Sequence, residues 1–160
     1  NGSPASTKSP LTFGNNRFEV IAGSQVHYAH QFEVINSEAS EPSVVRMHRT
    51  DGKRFDLLSL KVRGETFAFG FNPETGEDLF EESKATYQVR ASEGEVVTIE
   101  DLNSTATFKF KDVEFVELVA ITPGRPPALT SSWVFDSQTK FHIDNIQIQV
   151  LRLNIWGCQW

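Results

Sequence analysis

The stretch Thr66-Phe-Ala-Phe-Gly-Phe71 decides the fold class, because a large apolar residue alternates there with a small or polar one. Alternation with a period of two is typical of a β-strand that buries one face. Residues 107–111 and 146–150 repeat the pattern with phenylalanine, or with isoleucine and valine, at every second position. We therefore expect three strands here, with the row of Phe67, Phe69 and Phe71 facing a core.

Further strand-like segments flank these three and are separated by turn residues at near-regular spacing. They lie at 17–21, 26–35, 43–48, 55–62, 85–91, 95–100, 113–121 and 132–135. Asp51-Gly52 between two apolar runs predicts a tight β-hairpin, since a primed turn requires positive φ at both central positions. One short helix is expected at 77–84. Many strands and few helices predict an all-β fold, a two-sheet antiparallel β-sandwich of the jelly-roll type.

Length and composition fit a single globular domain. The chain has 160 residues, of which 39% are hydrophobic. Residues 1–10 are small and polar with two prolines, so we expect a disordered lead or linker. The β-sandwich domain is expected over residues 11–152. Residues 153–160, with the lone Cys158, are expected to form a C-terminal tail outside the sandwich, because the alternation ends at Val150.

The charge balance argues against polyanionic partners. The net charge of −6 removes the electrostatic attraction that supplies most nucleic-acid affinity. We therefore expect no nucleic-acid partner. We also expect no membrane insertion, because no apolar run approaches the ~18 residues that a spanning helix needs. Asn103-Ser104-Thr105 is an N-x-[ST] sequon, which makes Asn103 a candidate glycosylation site in a secreted chain, although such a sequon also arises by chance.

Two stretches resemble segments of secreted jelly-roll domains. Residues 49–60, RTDGKRFDLLSL, are similar to an R-x-D-G-x-x-F-D-L-x-S segment, and residues 141–148, FHIDNIQI, are similar to a closing F-x-I-D-N-I strand. Such domains are similar in layout to carbohydrate-binding modules. The resemblance implies a secreted or extracellular module that binds a polysaccharide or other glycan.

The same resemblance implies a structural calcium ion. In modules that end this way, the aspartate matching Asp144 often binds calcium together with a first-strand glutamate, which matches Glu19 in the segment Asn15–Glu19. Alternation from Ile146 to Val150 also predicts that Asp144 faces the sheet interior, where a carboxylate needs a hydrogen bond or a metal ion. The alternative is that Asp144 accepts backbone N–H bonds at a strand bulge.

Aromatic residues flanked by hydrogen-bonding groups are candidate sugar platforms. Trp133 follows a loop rich in proline and glycine, with Asp136 close behind it. Tyr28 is the second candidate, with His30 two residues away. The alternative for both aromatic residues is packing in the core or at its rim. Because His27 and His30 are three residues apart, they are expected on opposite faces of a strand, which disfavours a metal site formed by this pair.

The basic stretch around the turn has two interpretations. Its members Arg46, His48, Arg49, Lys53 and Arg54 could hold an acidic sugar or form a solvated hairpin. The chain has no nucleophile elbow, P-loop, dinucleotide fingerprint or zinc-binding spacing. We therefore expect non-catalytic binding of a neutral glycan. The alternatives are a small polysaccharide-degrading lyase or hydrolase, and an adhesive or structural surface domain that binds protein.

Overall fold

The computed structural model describes residues 6–7, 10–22, 25–28, 32–36, 42–81, 86–100, 104–121 and 129–150, in part as backbone alone. These segments contain thirteen β-strands and no helix, so none of the described residues forms a helix able to cross a membrane. The strands are β1 (Ser6–Thr7), β2 (Leu11–Phe13), β3 (Asn16–Ala22), β4 (Gln25–Tyr28), β5 (Phe32–Asn36), β6 (Ser43–Arg49), β7 (Phe55–Asn72), β8 (Glu77–Glu81), β9 (Thr86–Ala91), β10 (Val96–Ile99), β11 (Thr105–Val113), β12 (Phe115–Ile121) and β13 (Val134–Val150).

The strands pair into two antiparallel sheets. The seven-stranded sheet has the order β1-β4-β5-β13-β7-β11, and β8 also pairs with β7. The six-stranded sheet has the order β10-β9-β12-β6-β3-β2. The buried core takes side chains from both sheets, with Phe55 and Leu57 from one and Val45 and Val116 from the other, each 0% exposed. This arrangement confirms the expected all-β, two-sheet antiparallel sandwich.

The phenylalanine row of β7 does not lie in this core. Leu57 and Leu60 are both buried although they are three residues apart, because a register shift between them moves the alternation by one residue. Phe69 and Phe71 are half-buried, outside the buried cluster, whereas Gly70 between them is buried. The prediction that this row faces the core is therefore wrong for these two residues. The side chain of Phe67 lies outside the described part.

The expected helix at 77–84 is also wrong, since residues 77–81 form β8. A turn at residues 72–76 reverses the chain: the Asn72 side-chain oxygen accepts the backbone N–H of Glu74 at 2.9 Å, and Gly76 has φ +73°. After the turn, β8 pairs antiparallel with the end of β7, and Leu79 lies opposite Gly70. Backbone pairing with a neighbouring strand outweighs the weak helical tendency of this short segment.

The turn at Asp51-Gly52 exists, but it does not close a hairpin. Gly52 has φ +67°, and its N–H donates to the carbonyl of Arg49 at 3.3 Å. The strand before the turn, β6, lies in the six-stranded sheet, whereas β7 lies in the seven-stranded sheet. The turn therefore joins the two sheets, because turn residues determine where the chain reverses and leave open which strands then pair.

The predicted ends of the domain are only partly covered by the described residues. Within the expected disordered lead, Ser6 and Thr7 form β1 and pair with His27 and Val26. Such edge pairing uses backbone groups and needs no apolar side chains. The tail at 153–160 with Cys158, and the sequon residue Asn103, lie outside the described residues.

A buried carboxylate next to the core predicts a loss of stability in acid. Asp56 is 5% exposed; its carboxylate accepts hydrogen bonds from Lys111 Nζ at 2.7 Å and from the N–H of Asp112 at 2.8 Å. The ammonium of Lys111, and then the Asp112 N–H, lower the pKa of Asp56. A carboxyl whose folded pKa is lowered stabilises the fold above its unfolded pKa of about 3.9. That contribution disappears as the pH falls through the folded pKa.

We expect Asp56→Asn to lower the free energy of unfolding at pH 7 and to flatten its dependence on pH below about 4, where the wild type loses this contribution. Urea denaturation at several pH values measures both effects. Asp78→Asn is the matched control, since Asp78 is exposed. Equal pH profiles for the two variants would contradict the role given to Asp56.

Candidate functional site

A pocket of about 240 Å³ opens on the outer face of the six-stranded sheet, beside the turn at residues 49–53. We call it the outer pocket. Along β3 and β6, residues that line the pocket alternate with residues that face the core. Glu19 follows the buried Phe18, and Arg46 lies between the buried Val45 and Met47. The lining residues are Glu19, Arg46, His48, Arg49, Gly52, Lys53, Glu114 and Phe115.

Strand register brings the polar side chains of the outer pocket together in two rows. In the first row, Arg46 of β6 pairs with Glu19 of β3 on one side and with Glu117 of β12 on the other. In the second row, His48 pairs with Arg17 and with Phe115. Directly paired residues lie on one face with Cβ atoms about 4.5–5.5 Å apart. Three strands of a sheet thus hold the site.

Arg46 is fixed at the centre of the pocket wall. Its Nε and Nη2 atoms donate to Glu117 Oε1 at 3.2 and 2.7 Å. Its guanidinium carbon lies 4.1 Å from the centroid of the Phe115 ring, within the range of a cation–π contact. The ion pair and the ring together hold the planar guanidinium in one orientation, ready for further hydrogen bonds.

Glu19, at one end of the first row, has two basic residues beside its carboxylate. Arg17 Nε lies 2.9 Å from Glu19 Oε1, and His48 Nε2 lies 3.6 Å from the same oxygen. Neither nitrogen makes an aligned hydrogen bond with a described residue, although both atoms are buried. The contact between Arg17 and Glu19 is therefore one of charge, and the same carboxylate oxygen lies beside the imidazole of His48.

The turn forms the second wall of the pocket. Arg49 Nε and Nη2 donate to the two carboxylate oxygens of Asp51 at 2.8 and 2.5 Å. This hydrogen bonding, helped by the Lys53 N–H, lowers the pKa of Asp51 to about 2. Asp51 therefore stays ionised at neutral and mildly acidic pH. Among the described residues, Lys53 and Glu114 form no salt bridge, although the charge of Lys53 also acts on the Asp51 carboxylate.

Trp133 lies on the other sheet. A Cβ atom at Gly70 would lie 3.4 Å from Trp133 Cε3 and 3.6 Å from Leu79 Cβ, so the indole packs against the bare backbone of β7. Trp133 is half-buried there, and the neighbouring hydroxyls of Thr130 and Ser132 are 2.9 Å apart. Trp133 thus packs on the seven-stranded sheet, and sugar contact by its remaining surface stays a prediction.

The other sugar-binding candidates do not lie at one place. Tyr28 pairs with Phe32, which pairs with Ile143 of β13. Asp136 pairs with Phe69 about seven residues earlier on β13, or roughly 24 Å along the strand. The backbone register therefore separates Tyr28 from Asp136. His30 lies outside the described residues.

The two candidate calcium ligands lie on different sheets. Glu19 belongs to the outer face of the six-stranded sheet, as described above. In β13, Ile143 is buried and Ile146 packs on the core, because a bulge at Asn145 with φ +50° shifts the alternation. Asp144 therefore lies opposite Ile143, on the outward face, and the expectation that it faces the interior is wrong.

Asp144 instead makes the local contact given as its alternative role, since its Oδ1 accepts the N–H of Asn145 at 2.9 Å. The structure does not bring Glu19 and Asp144 together. Among the side chains that it describes, no group of three or more His, Cys, Asp or Glu residues is placed to hold a metal ion. The structural calcium shared by Glu19 and Asp144 stays a prediction, which melting curves with and without EDTA test.

Sequence reasoning found one part of the outer pocket and missed another. Four residues of the basic stretch identified in the sequence line the pocket: Arg46, His48, Arg49 and Lys53. Phe115 was missed, because a single aromatic residue at the start of a strand carries no signal of its own. The segment Glu-Phe-Val-Glu at 114–117 holds the available clue: Phe115 and Glu117 alternate with the buried Val116.

Comparison with known proteins gives a similarity of fold. No protein-family model and no curated protein matches the chain. A family 29 carbohydrate-binding module is 13% identical with a TM-score of 0.46, covering 92% of this chain and 84% of that one. A mutant module of the same family, solved with cellulohexaose, is 12% identical with a TM-score of 0.46, covering 92% and 89%.

Proposed function

We propose that this chain is a non-catalytic carbohydrate-binding module and that a neutral glycan binds in the outer pocket. The observation that carries the proposal is the balance of charges in that pocket. Carboxylates and guanidinium groups alternate across three paired strands, and nearly every cation already has an anion beside it. Sugar hydroxyls both donate and accept hydrogen bonds, so a wall that offers donors next to acceptors suits them.

The pocket also offers apolar surface of the kind that sugar rings require. Phe115 is half-buried at the pocket edge, and the guanidinium of Arg46 lies over its ring. Binding sites commonly combine an aromatic surface with a few placed polar groups. Because Glu117 and the sheet backbone hold Arg46, little side-chain entropy is lost when a ligand binds.

The same charges favour a neutral sugar over an acidic one. Arg17, Arg46 and Arg49 each contact a carboxylate, of Glu19, Glu117 and Asp51 respectively. The charge of Lys53 acts on the Asp51 carboxylate, and Glu114 adds a further carboxylate to the lining of the same pocket. An anionic sugar would meet little uncompensated positive charge. The chain as a whole, with a net charge of −6, would also repel it.

One observation supports a second candidate function. Glu19 and Glu114 line the same pocket, and glycoside hydrolysis needs two carboxyl groups that face one another across a cleft. A small hydrolase is therefore the alternative, and release of product would identify it. Secretion and glycosylation at Asn103 remain predictions from the sequence.

The test is retention on immobilised polysaccharides together with a glycan array. We expect retention on neutral polymers such as glucans, mannans or xylans, with no reducing sugar released, and weaker retention on polyuronates. Lys53→Ala and Trp133→Ala distinguish the outer pocket from the surface around Trp133. Lys53→Ala should weaken retention, whereas Trp133→Ala should leave most of it. Retention that depends on Trp133 alone would place the ligand on the other sheet. Retention of polyuronates only would overturn the neutral-glycan proposal.

A further inference from the structure

The outer pocket is closed by the turn at the end where β6 stops. The N–H of Thr50 donates to the carbonyl of Asn15 at 2.9 Å, which anchors the turn to the residue before β3. Within the turn, the N–H of Lys53 donates to Asp51 Oδ1 at 3.2 Å, and the same carboxylate accepts two bonds from Arg49. These contacts hold the turn as a wall, so a ligand that lies along β6 must end there.

The pocket also has a limit on each side across the strands. In the first row it stops before Glu117, the direct partner of Arg46 on β12. In the second row it stops before Arg17, the direct partner of His48 on β3. The described floor therefore spans three neighbouring strands, or about 10 Å at a strand spacing of about 4.8 Å.

The sheet becomes apolar at the end of the pocket away from the turn. The next outward-facing pair along β6 and β12 is Val44 with Val119. Val119 is 1% exposed, so it has almost no surface left for a ligand, and neither side chain offers a hydrogen-bonding group to a sugar hydroxyl. The polar groups of the floor thus lie in two rows, which are about 7 Å apart along the strands.

The volume of the pocket suits a short ligand. Its 240 Å³ is smaller than the ~300–1,000 Å³ of pockets that enclose a drug-sized ligand. A floor of this size has room for about one or two sugar rings. An internal segment of a polysaccharide would have to leave the pocket at both ends, and the turn closes one of them.

We propose that the outer pocket recognises the terminal residue of a neutral glycan, so that it binds chain ends rather than internal segments. The inference rests on the proposed function, because it requires a neutral glycan in this pocket. The terminal ring lies against the turn, and the rest of the chain points away from the sheet. A terminal ring has one more free hydroxyl than an internal ring, which suits a pocket with donors and acceptors both on the floor and on the turn.

The test is the dependence of affinity on chain length. Full-length protein is titrated by calorimetry with the trisaccharide and the hexasaccharide of the glucan, mannan or xylan that it retains. We expect the two affinities to differ by less than tenfold, because the outer rings make few contacts and a tenfold gain requires about 1.4 kcal/mol. Limited cleavage of the polymer by an endo-acting hydrolase should raise the number of binding sites per gram in proportion to the new chain ends.

Reduction of the hexasaccharide with borohydride opens its reducing-end ring and identifies which chain end is bound. A loss of affinity of tenfold or more assigns the pocket to the reducing end, and a smaller change assigns it to the non-reducing end. The proposal is overturned if affinity rises tenfold or more from the trisaccharide to the hexasaccharide. It is equally overturned if cleavage of the polymer leaves the number of binding sites unchanged.

Arg90→Met is the matched control, because Arg90 follows Glu117 in the first row and does not line the pocket. It should leave the ratio of hexasaccharide to trisaccharide affinity unchanged, whereas a fall in that ratio would show that the chain continues across the strands and would overturn the proposal. Binding that Lys53→Ala weakens but that grows with chain length overturns chain-end recognition alone. Absence of binding to any neutral glycan overturns the proposed function as well.

Discussion

Replacing Phe55 with alanine should lower the free energy of unfolding by about 3–5 kcal/mol, the usual cost of truncating a buried phenylalanine. Phe55 is 0% exposed and lies at the start of β7, where it pairs with Val113 of β11 and Val150 of β13. The truncation leaves a cavity in the core between the two sheets. Because a domain is stable by only about 5–15 kcal/mol, this one change removes a large part of the total.

Phe13→Ala is the matched control for that prediction. Phe13 is 38% exposed and contacts Phe18 edge to face at 5.9 Å between ring centroids. Its truncation should cost much less than that of Phe55. Chemical denaturation of both variants, compared at equal m-values, measures the difference. Similar midpoints would show that the core between the two sheets is not where the described packing puts it.

The double variant Arg46→Met, Glu117→Gln should weaken glycan binding about tenfold or more, since hydrogen bonds to charged groups contribute about 1.5–3 kcal/mol each. The methionine keeps an apolar stem beside Phe115, and the glutamine avoids leaving an unpaired carboxylate in a half-buried position. The net charge does not change. Loss of affinity then reports the missing guanidinium rather than a damaged fold or an altered overall charge.

Arg90→Met is the control for the pocket variant. Arg90 pairs with Glu117 on the same face of the same sheet, but it donates to Gln88 at 2.9 Å and does not line the outer pocket. Its replacement should leave glycan affinity within about twofold, in keeping with a surface change away from the site. Affinity measured on the best-retained polysaccharide distinguishes the two variants. Equal effects would show that the pocket is not the binding site.

The alternation of apolar residues predicted the fold class because it reports local burial directly. Phe108 and Phe110 are buried as their pattern indicates. The pattern failed where a bulge intervened: one residue inserted near Ser59 turned the Phe69 row outward, and the bulge at Asn145 did the same to Asp144. A bulge has no reliable residue signature, and it moves every later side chain to the other face.

The sequence predicted only those residues of the outer pocket that lie close together in the chain. Arg46, His48, Arg49 and Lys53 are close in the chain, so their cluster is visible in the sequence. Glu19 and Phe115 reach the pocket only because β3 and β12 both pair with β6. Strand order is set by contacts between distant segments, and the misplaced hairpin at Asp51-Gly52 shows that local turn residues do not determine it.

Nuclear magnetic resonance titration with a retained neutral oligosaccharide tests the central claim most directly. Backbone amide shifts of isotopically labelled protein locate the ligand without any substitution. We predict saturable shifts concentrated at Arg46, His48 and Phe115 and at the turn, with residues around Trp133 unmoved. Shifts confined to the seven-stranded sheet, or no saturable shift with any neutral oligosaccharide, would contradict the assignment of the outer pocket.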